Sequence, residues 1–125
     1  LPYSPIGGGV LSGKYQHGEM PRNTRFGDYI KGDDSRQKLM AQRFVNEETL
    51  SSTEKYLEIA KKADLSPVTM ATAWSMHWDF VASTIVGVRN VDQLKEIFSA
   101  FEVRLSDEIL KECDEVHQQH KYPMG

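Results

Sequence analysis

One cysteine, Cys113, is all the sequence holds, so no internal disulfide can form and a reduced packing residue is expected, in keeping with a cytoplasmic setting. No stretch approaches the ~20 apolar residues of a membrane span, and the first residues lack the charged-then-apolar order of a secretory signal. Excess positive charge is also missing. With 15 basic against 18 acidic residues the formal net charge is -3 and the pI about 5.8, which argues against nucleic acid and anionic lipid surfaces as partners. His17, His77, His117 and His120 have no metal-ligand spacing with acidic residues or Cys113, and no Gly-x-Ser-x-Gly occurs. Metalloenzyme and hydrolase readings are thereby set aside. An initial methionine is absent too, and the opening Leu1-Pro2-Tyr3-Ser4 reads like a strand end entering a turn, so a piece of a longer protein is expected.

A chain of 125 residues suits one domain portion, with room for one core and not two. Tyr3 to Tyr15 reads as a loop: Gly7, Gly8 and Gly9 follow Pro5, and Gly13 comes soon after. From Gln16 to Asp34 the residues turn polar with no helical or strand period, which predicts a long loop. Asn46 caps a predicted helix over Glu47–Ala63, in which Leu50, Thr53, Leu57 and Ala60 trace one face, broadened by Tyr56 and Ile59. Ser66-Pro67 begins another, expected to stop near Trp78, with His77 partly buried and Trp74, Trp78 and Phe80 in the core.

The β-branched run from Phe80 to Val88 predicts a strand covered on both faces. Asn90-x-x-Gln93 predicts a capping box opening a helix with Leu94, Ile97 and Phe98 inward. A last helix is expected from the Ser106 cap to before Pro123, with Ile109, Leu110, Cys113 and Val116 inward and His117 and His120 exposed.

Two segments can carry chemistry. In Tyr3-Ser4-Pro5-Ile6-Gly7-Gly8-Gly9-Val10-Leu11-Ser12-Gly13-Lys14-Tyr15, glycines let amides crowd an anion and Lys14 can neutralise a phosphate, though a tight turn alone would look the same. In Gly87-Val88-Arg89-Asn90-Val91-Asp92-Gln93-Leu94-Lys95-Glu96, a helix N-terminus follows a strand with Arg89 at its mouth, which suits a phosphate or simply a capped surface helix.

Taken together and in this order, the two segments resemble the aldo-keto reductase superfamily. Positions 3 to 15 are similar to the family's loop after barrel strand seven, and Thr84 to Leu94 to its strand eight and following turn. Ser66 to Trp74 looks like the seventh barrel helix, and Val116 to Pro123 resembles the ending of the Tas-like bacterial branch. The resemblance covers essentially the whole chain and implies an α/β fold, the C-terminal part of a TIM (β/α)₈ barrel that needs about 250 residues to close. The isolated chain is expected to be helix-rich.

The resemblance also implies NADP(H) as cofactor. Tyr3 would stack on the nicotinamide, Ser4, Pro5, Ile6 and Gly7 would line the pyrophosphate, and Lys14 would reach toward phosphate. Arg25, with Arg22, would cover the cofactor from the polar loop, acting as a lid. Gly87 and Arg89 would face the 2′-phosphate, and Gln93 and Glu96 the ribose and adenine. Ile97 departs from the family, which commonly has an asparagine touching the adenine amine there. The family's catalytic aspartate, tyrosine, lysine and histidine lie on earlier strands and have no counterpart here, so this chain should be inactive alone. The implied activity of the whole protein is hydride transfer between nicotinamide and a small-molecule carbonyl substrate. Two alternatives stand beside it: a nucleotide-sensing regulator like the potassium-channel β subunits that share this barrel, and an inactive fragment that pairs or swaps with a second copy.

Overall fold

The computed structural model describes residues 1–125. Six α-helices follow two 3₁₀ turns at Gly7–Ser12 and Gln16–Gly18: α1 (Arg25–Lys31), α2 (Ser35–Phe44), α3 (Glu47–Lys62), α4 (Pro67–Met76), α5 (Val91–Phe98) and α6 (Asp107–Gln119). Each α-helix begins at a side chain that satisfies otherwise orphaned amides. Asn46 and Thr49 form a reciprocal capping box at α3, both bonds being 3.0 Å. Ser66 caps α4 with Pro67 in its first turn, and Ser106 caps α6 ahead of Asp107 and Glu108. Such a cap contributes about 1 kcal/mol. These three helices lie where the apolar spacing places them, α4 ending two residues short of the expected stop.

The polar stretch after Gln16 departs from expectation. Thr24 accepts from the Gly27 amide and starts α1, and Asp34 accepts from the amides of Arg36 and Gln37 and starts α2. A seven-residue helix shows too little period to be read, so the long loop is in fact turn, helix, turn. Gly27 permits it: a Cβ there would stand 1.8 Å from the Pro21 carbonyl oxygen.

Two small apolar clusters replace the single expected core. In one, Ile59 and Ala60 of α3, Met70 and Ala73 of α4, and Ala100, Leu105, Cys113 and Val116 pack together. In the other, Val10, Tyr15, Phe26 and Ala41 are sealed by Phe44, Tyr29 and Met124. The glycine loop packs against α2, α3 and α4, α1 packs on α2, and α6 lies along α3, while α5 docks on α4.

The strand expected over Phe80–Val88 is reduced to one parallel bridge, Tyr3 with Ile85. A ladder requires a neighbour along its length, and here the facing segment turns away at Ser4, whose φ is 54°, directly after the paired Tyr3. The aromatic group changes accordingly. Trp78 stacks on Phe80 with ring centroids 6.1 Å apart, but Phe80 is 83% exposed and Trp74 and His77 are also exposed, so these are surface residues of this chain and not its core. Phe98 likewise faces outward, whereas Ile97 is buried. His117 is exposed as expected, but the His120 ring is largely covered and pairs with Glu48.

Candidate functional site

The bridge brings the two chemistry-bearing segments together. Ser4 N–H donates to the Ile85 carbonyl at 3.2 Å and Ile85 N–H to the Pro2 carbonyl at 2.8 Å, aligning the start of the glycine loop with the run that ends at Gly87. Between them lies a groove of about 460 Å³. Its walls include Tyr3, Ser4, Pro5, Ile6, Lys14, Arg25, Gly87, Arg89, Gln93 and Glu96. Of the residues singled out from the sequence, Gly7 and Arg22 lie off these walls; Gly8, Gly9 and Ser12 also line the groove. Tyr3 is 78% exposed, so it is not a core residue of this chain.

Three left-handed glycines shape the loop. Gly7, Gly8 and Gly9 have φ of 56°, 65° and 100°, a region that side chains rarely enter. Their backbone is covered closely: a Cβ on Gly9 would sit 2.5 Å from the Lys14 ammonium, and one on Gly8 would sit 2.8 Å from the Phe26 ring. Gly9 N–H donates to the Ile6 carbonyl and Gly7 N–H to that of Ser4, both at 2.9 Å, so these amides are committed to the turn. The anion-attracting character of the groove therefore comes from side chains more than from the glycine amides.

Those side chains are Lys14, Arg25 and Arg89. Lys14 is half-buried, and burial lowers its pKa from the ordinary lysine value, with the guanidiniums of Arg89 and Arg25 lowering it further. No carboxylate lies within ion-pairing distance of Lys14. Its ammonium stands 5.4 Å from the centroid of the Tyr15 ring, whose hydroxyl accepts from Phe26 N–H at 3.2 Å and so ties the loop to α1. Arg25 is the first residue of α1 and is aimed at the groove from there. Arg22 is exposed and lies off the walls.

On the far wall, Asn90 caps α5 by accepting from Gln93 N–H at 2.9 Å. Gln93 does not return to the Asn90 amide as a capping box would; its Oε1 accepts from Arg89 N–H at 2.9 Å, which holds the turn that presents Arg89. The Glu96 carboxylate is engaged by the Ser66 hydroxyl, and its carbonyl accepts from Thr69 Oγ1 at 3.1 Å. Both side chains are therefore already occupied in bracing α5, though each still borders the groove. Ile97 adds a buried apolar patch to the floor.

The role of Asn23 and Asp28 is not legible in the sequence. Arg89 donates through Nη1 to the Asn23 carbonyl and lies 3.6 Å from the Asp28 carboxylate, while Asp28 also accepts from Asn23 N–H at 2.9 Å. Arg89, on the groove wall, is thereby tied to the turn that precedes α1 and to α1 itself. Asn23 has φ 62°, which asparagine tolerates better than most residues, and that is the one local signal.

Comparison with known proteins adds the kinship. Residues 1–118 match the model of the Aldo/keto reductase family. Protein tas of Escherichia coli K12 is 36% identical, with 98% of this chain and 33% of that protein covered. A probable voltage-gated potassium channel subunit beta of Oryza sativa subsp. japonica is 30% identical, with 93% and 34% covered. The L-glyceraldehyde 3-phosphate reductase of Escherichia coli K12 is 27% identical, with 77% and 26% covered. The chain spans between about a quarter and a third of the length of these relatives.

Proposed function

Since the chain belongs to the aldo/keto reductase family, we propose that it is the C-terminal portion of one reductase barrel domain and holds NADP(H) there. In the whole protein that cofactor supplies a hydride to the carbonyl carbon of a small molecule. The observation that carries the cofactor reading is Lys14, a half-buried ammonium faced by two guanidiniums and by no carboxylate. Asp28 offsets only the Arg89 charge, so Lys14 and Arg25 leave an excess of positive charge that an anion would neutralise, and a nicotinamide dinucleotide brings both that anion and the hydride this family's chemistry uses.

The residues fit the group. Arg89 presents a planar fork at the mouth of a capped helix, suited to a terminal phosphate monoester such as the 2′-phosphate. Lys14 and Arg25 stand over the glycine loop, where the pyrophosphate would run. The exposed Tyr3 ring at the other end offers a face for the nicotinamide. The chain's part is to bind and orient the dinucleotide; proton transfer to the carbonyl oxygen falls to residues elsewhere in the protein. No helix is long and apolar enough to cross a membrane. A cytoplasmic location belongs to the same proposal.

A second reading, favoured by the potassium channel subunit relatives, is a regulator that binds the nucleotide as a sensor. Calorimetric titration of the full-length protein with NADP⁺, NAD⁺ and adenosine 2′-monophosphate tests the shared premise. Tight binding of the first and third, with NAD⁺ much weaker, is expected, and equal affinity for NADP⁺ and NAD⁺ refutes the 2′-phosphate assignment. Single-turnover oxidation of bound NADPH by aldehydes separates enzyme from sensor.

A further inference from the structure

Each of the three left-handed glycines is covered most closely by a single side chain, with a second one at ordinary contact distance: Val10 at Gly7, Arg25 at Gly8 and Tyr15 at Gly9. Lys14 lies over Gly9 and Phe26 over Gly8, both from nearby in the chain, but Gly7 is covered from the far end: a Cβ there would be 2.7 Å from Cε of Met124. Met124 also packs against the cluster of Val10, Tyr15, Phe26 and Ala41. The segment that carries it is fastened by side chains of the α2–α3 corner. Arg43 donates from Nε to the Met124 carbonyl at 2.6 Å and from Nη2 to the Gly125 carbonyl at 3.1 Å. Asn46 donates from Nδ2 to the Pro123 carbonyl at 3.0 Å while its Oδ1 caps α3.

Three consecutive glycines lose more backbone freedom on ordering than any other tripeptide, and a left-handed run holds its shape only when its surroundings over-determine it. Lys14 is a poor support on its own, because it is charged, flexible and repelled by Arg25 and Arg89. Phe26 fixes only the middle glycine. We infer that Met124, clamped by Arg43 and Asn46, is a positioning residue for the glycine loop: it fixes Gly7 from behind and so sets the backbone that forms one wall of the groove. That the groove takes a nucleotide rests on the function proposed above; the clamp itself is readable without it.

The test uses the full-length protein and three variants, Met124→Ala, Met124→Leu and Arg43→Met. Without nucleotide, amide exchange at Gly9 and Leu11, whose N–H groups both donate to the Ile6 carbonyl, should quicken in Met124→Ala while exchange in α3 and α6 stays as in the parent. Met124→Leu conserves volume and should restore slow exchange. In the same variants, NADPH affinity should fall about fivefold for Met124→Ala, the low end of coupling between distinct sites. Affinity for adenosine 2′-monophosphate, which reaches only the Arg89 end, should hold within about twofold, since the coupling acts on the other wall. Arg43→Met should reproduce the alanine result, and a folded Arg43→Met with unaltered loop exchange overturns the clamp.

Unchanged exchange at Gly9 and Leu11 in Met124→Ala overturns the inference outright. Equal weakening of both ligands reduces Met124 to a general packing residue and overturns it as well. If the parent binds no NADPH but the loop still loosens in Met124→Ala, the clamp stands and the nucleotide reading fails. Should Arg43→Met not fold, the alanine and leucine pair at position 124 decides.

Discussion

Arg89, on the wall of the groove, reaches out to Asn23, its guanidinium donating to the Asn23 carbonyl at 2.7 Å with the Asp28 carboxylate 3.6 Å away. The carboxylate therefore shares the guanidinium that a phosphate monoester would seek. Replacing Asp28 by Asn keeps an acceptor for Asn23 N–H but removes that competing charge. NADP(H) affinity should then rise up to about fivefold, the scale of a solvent-exposed ion pair, and the gain should shrink as salt screens it. NAD(H) affinity should barely move. Weaker NADP(H) binding in Asp28→Asn would show that the carboxylate aids the phosphate instead of competing with it.

Arg89→Glu reverses the charge at the same place. A charge-assisted hydrogen bond contributes about 1.5 to 3 kcal/mol, so NADP(H) affinity in the full-length protein should fall roughly tenfold to a hundredfold. The loss for NAD(H) should be much smaller, as titration of both cofactors against both proteins would reveal.

Lys14 makes the alkaline side of binding informative. Its folded pKa lies below the ordinary lysine value, so the folded state releases this proton before the unfolded chain does, and stability rises with pH across that window. An anion in the groove reverses the sign, because it favours the charged ammonium and draws a proton back. Nucleotide affinity should therefore fall as pH climbs through the lowered pKa of Lys14. Lys14→Met should bind more weakly at neutral pH and lose this alkaline fall. A variant with the parent's full pH profile would show that another group titrates.

Cys113 should be nearly inert. Burial, with Asp114 and Glu112 adding repulsion, pushes its thiol up to about 11 from 9.0, which at neutral pH leaves about a hundredfold less thiolate than a free thiol has. Alkylation by iodoacetamide should be slow in the folded protein and fast in denaturant. The stability this thiol contributes is present below the unfolded pKa and declines between about pH 9 and 11. Rapid modification of the folded chain would mean that α6 opens readily.

Gly27 offers a test of packing alone. Gly27→Ala must move either α1 or the Pro21 carbonyl, and forced overpacking of this kind costs about 1 to 3 kcal/mol. Denaturant unfolding should shift by that amount, and Phe26, whose ring seals the second cluster, should become more accessible. An unchanged midpoint would mean that the turn at Pro21 yields freely.

What was legible in the sequence divides by range. Helices α3, α4 and α6 could be read because cap, proline and apolar spacing act within a few residues of one another. The groove's composition could be read because Lys14 and Arg89 stand in motifs with a recognisable kinship. By contrast α2 gave no usable apolar face: Leu39 and Met40 point outward and only Ala41 is fully buried. The run Phe80–Val88 has the composition of a strand, but a strand is a relation between segments, and only Tyr3 meets it here. Asp28 with Arg89, Gly7 with Met124, and Glu96 with Ser66 are pairings of residues that are distant or unpatterned in the chain, so only the fold brings them together.

The bridge between Tyr3 and Ile85 also bears on the order in which the groove assembles. It closes a loop of about 82 residues with the two backbone hydrogen bonds that flank it. Closing such a loop costs on the order of 4 kcal/mol in chain entropy, and two hydrogen bonds return only about 2. Alone, therefore, the bridge would stay open; it is viable once the helices in between have already drawn its ends together. The helical layer is thus expected to fold first and the two walls of the groove to meet last, so stopped-flow refolding should restore helical circular dichroism before nucleotide affinity.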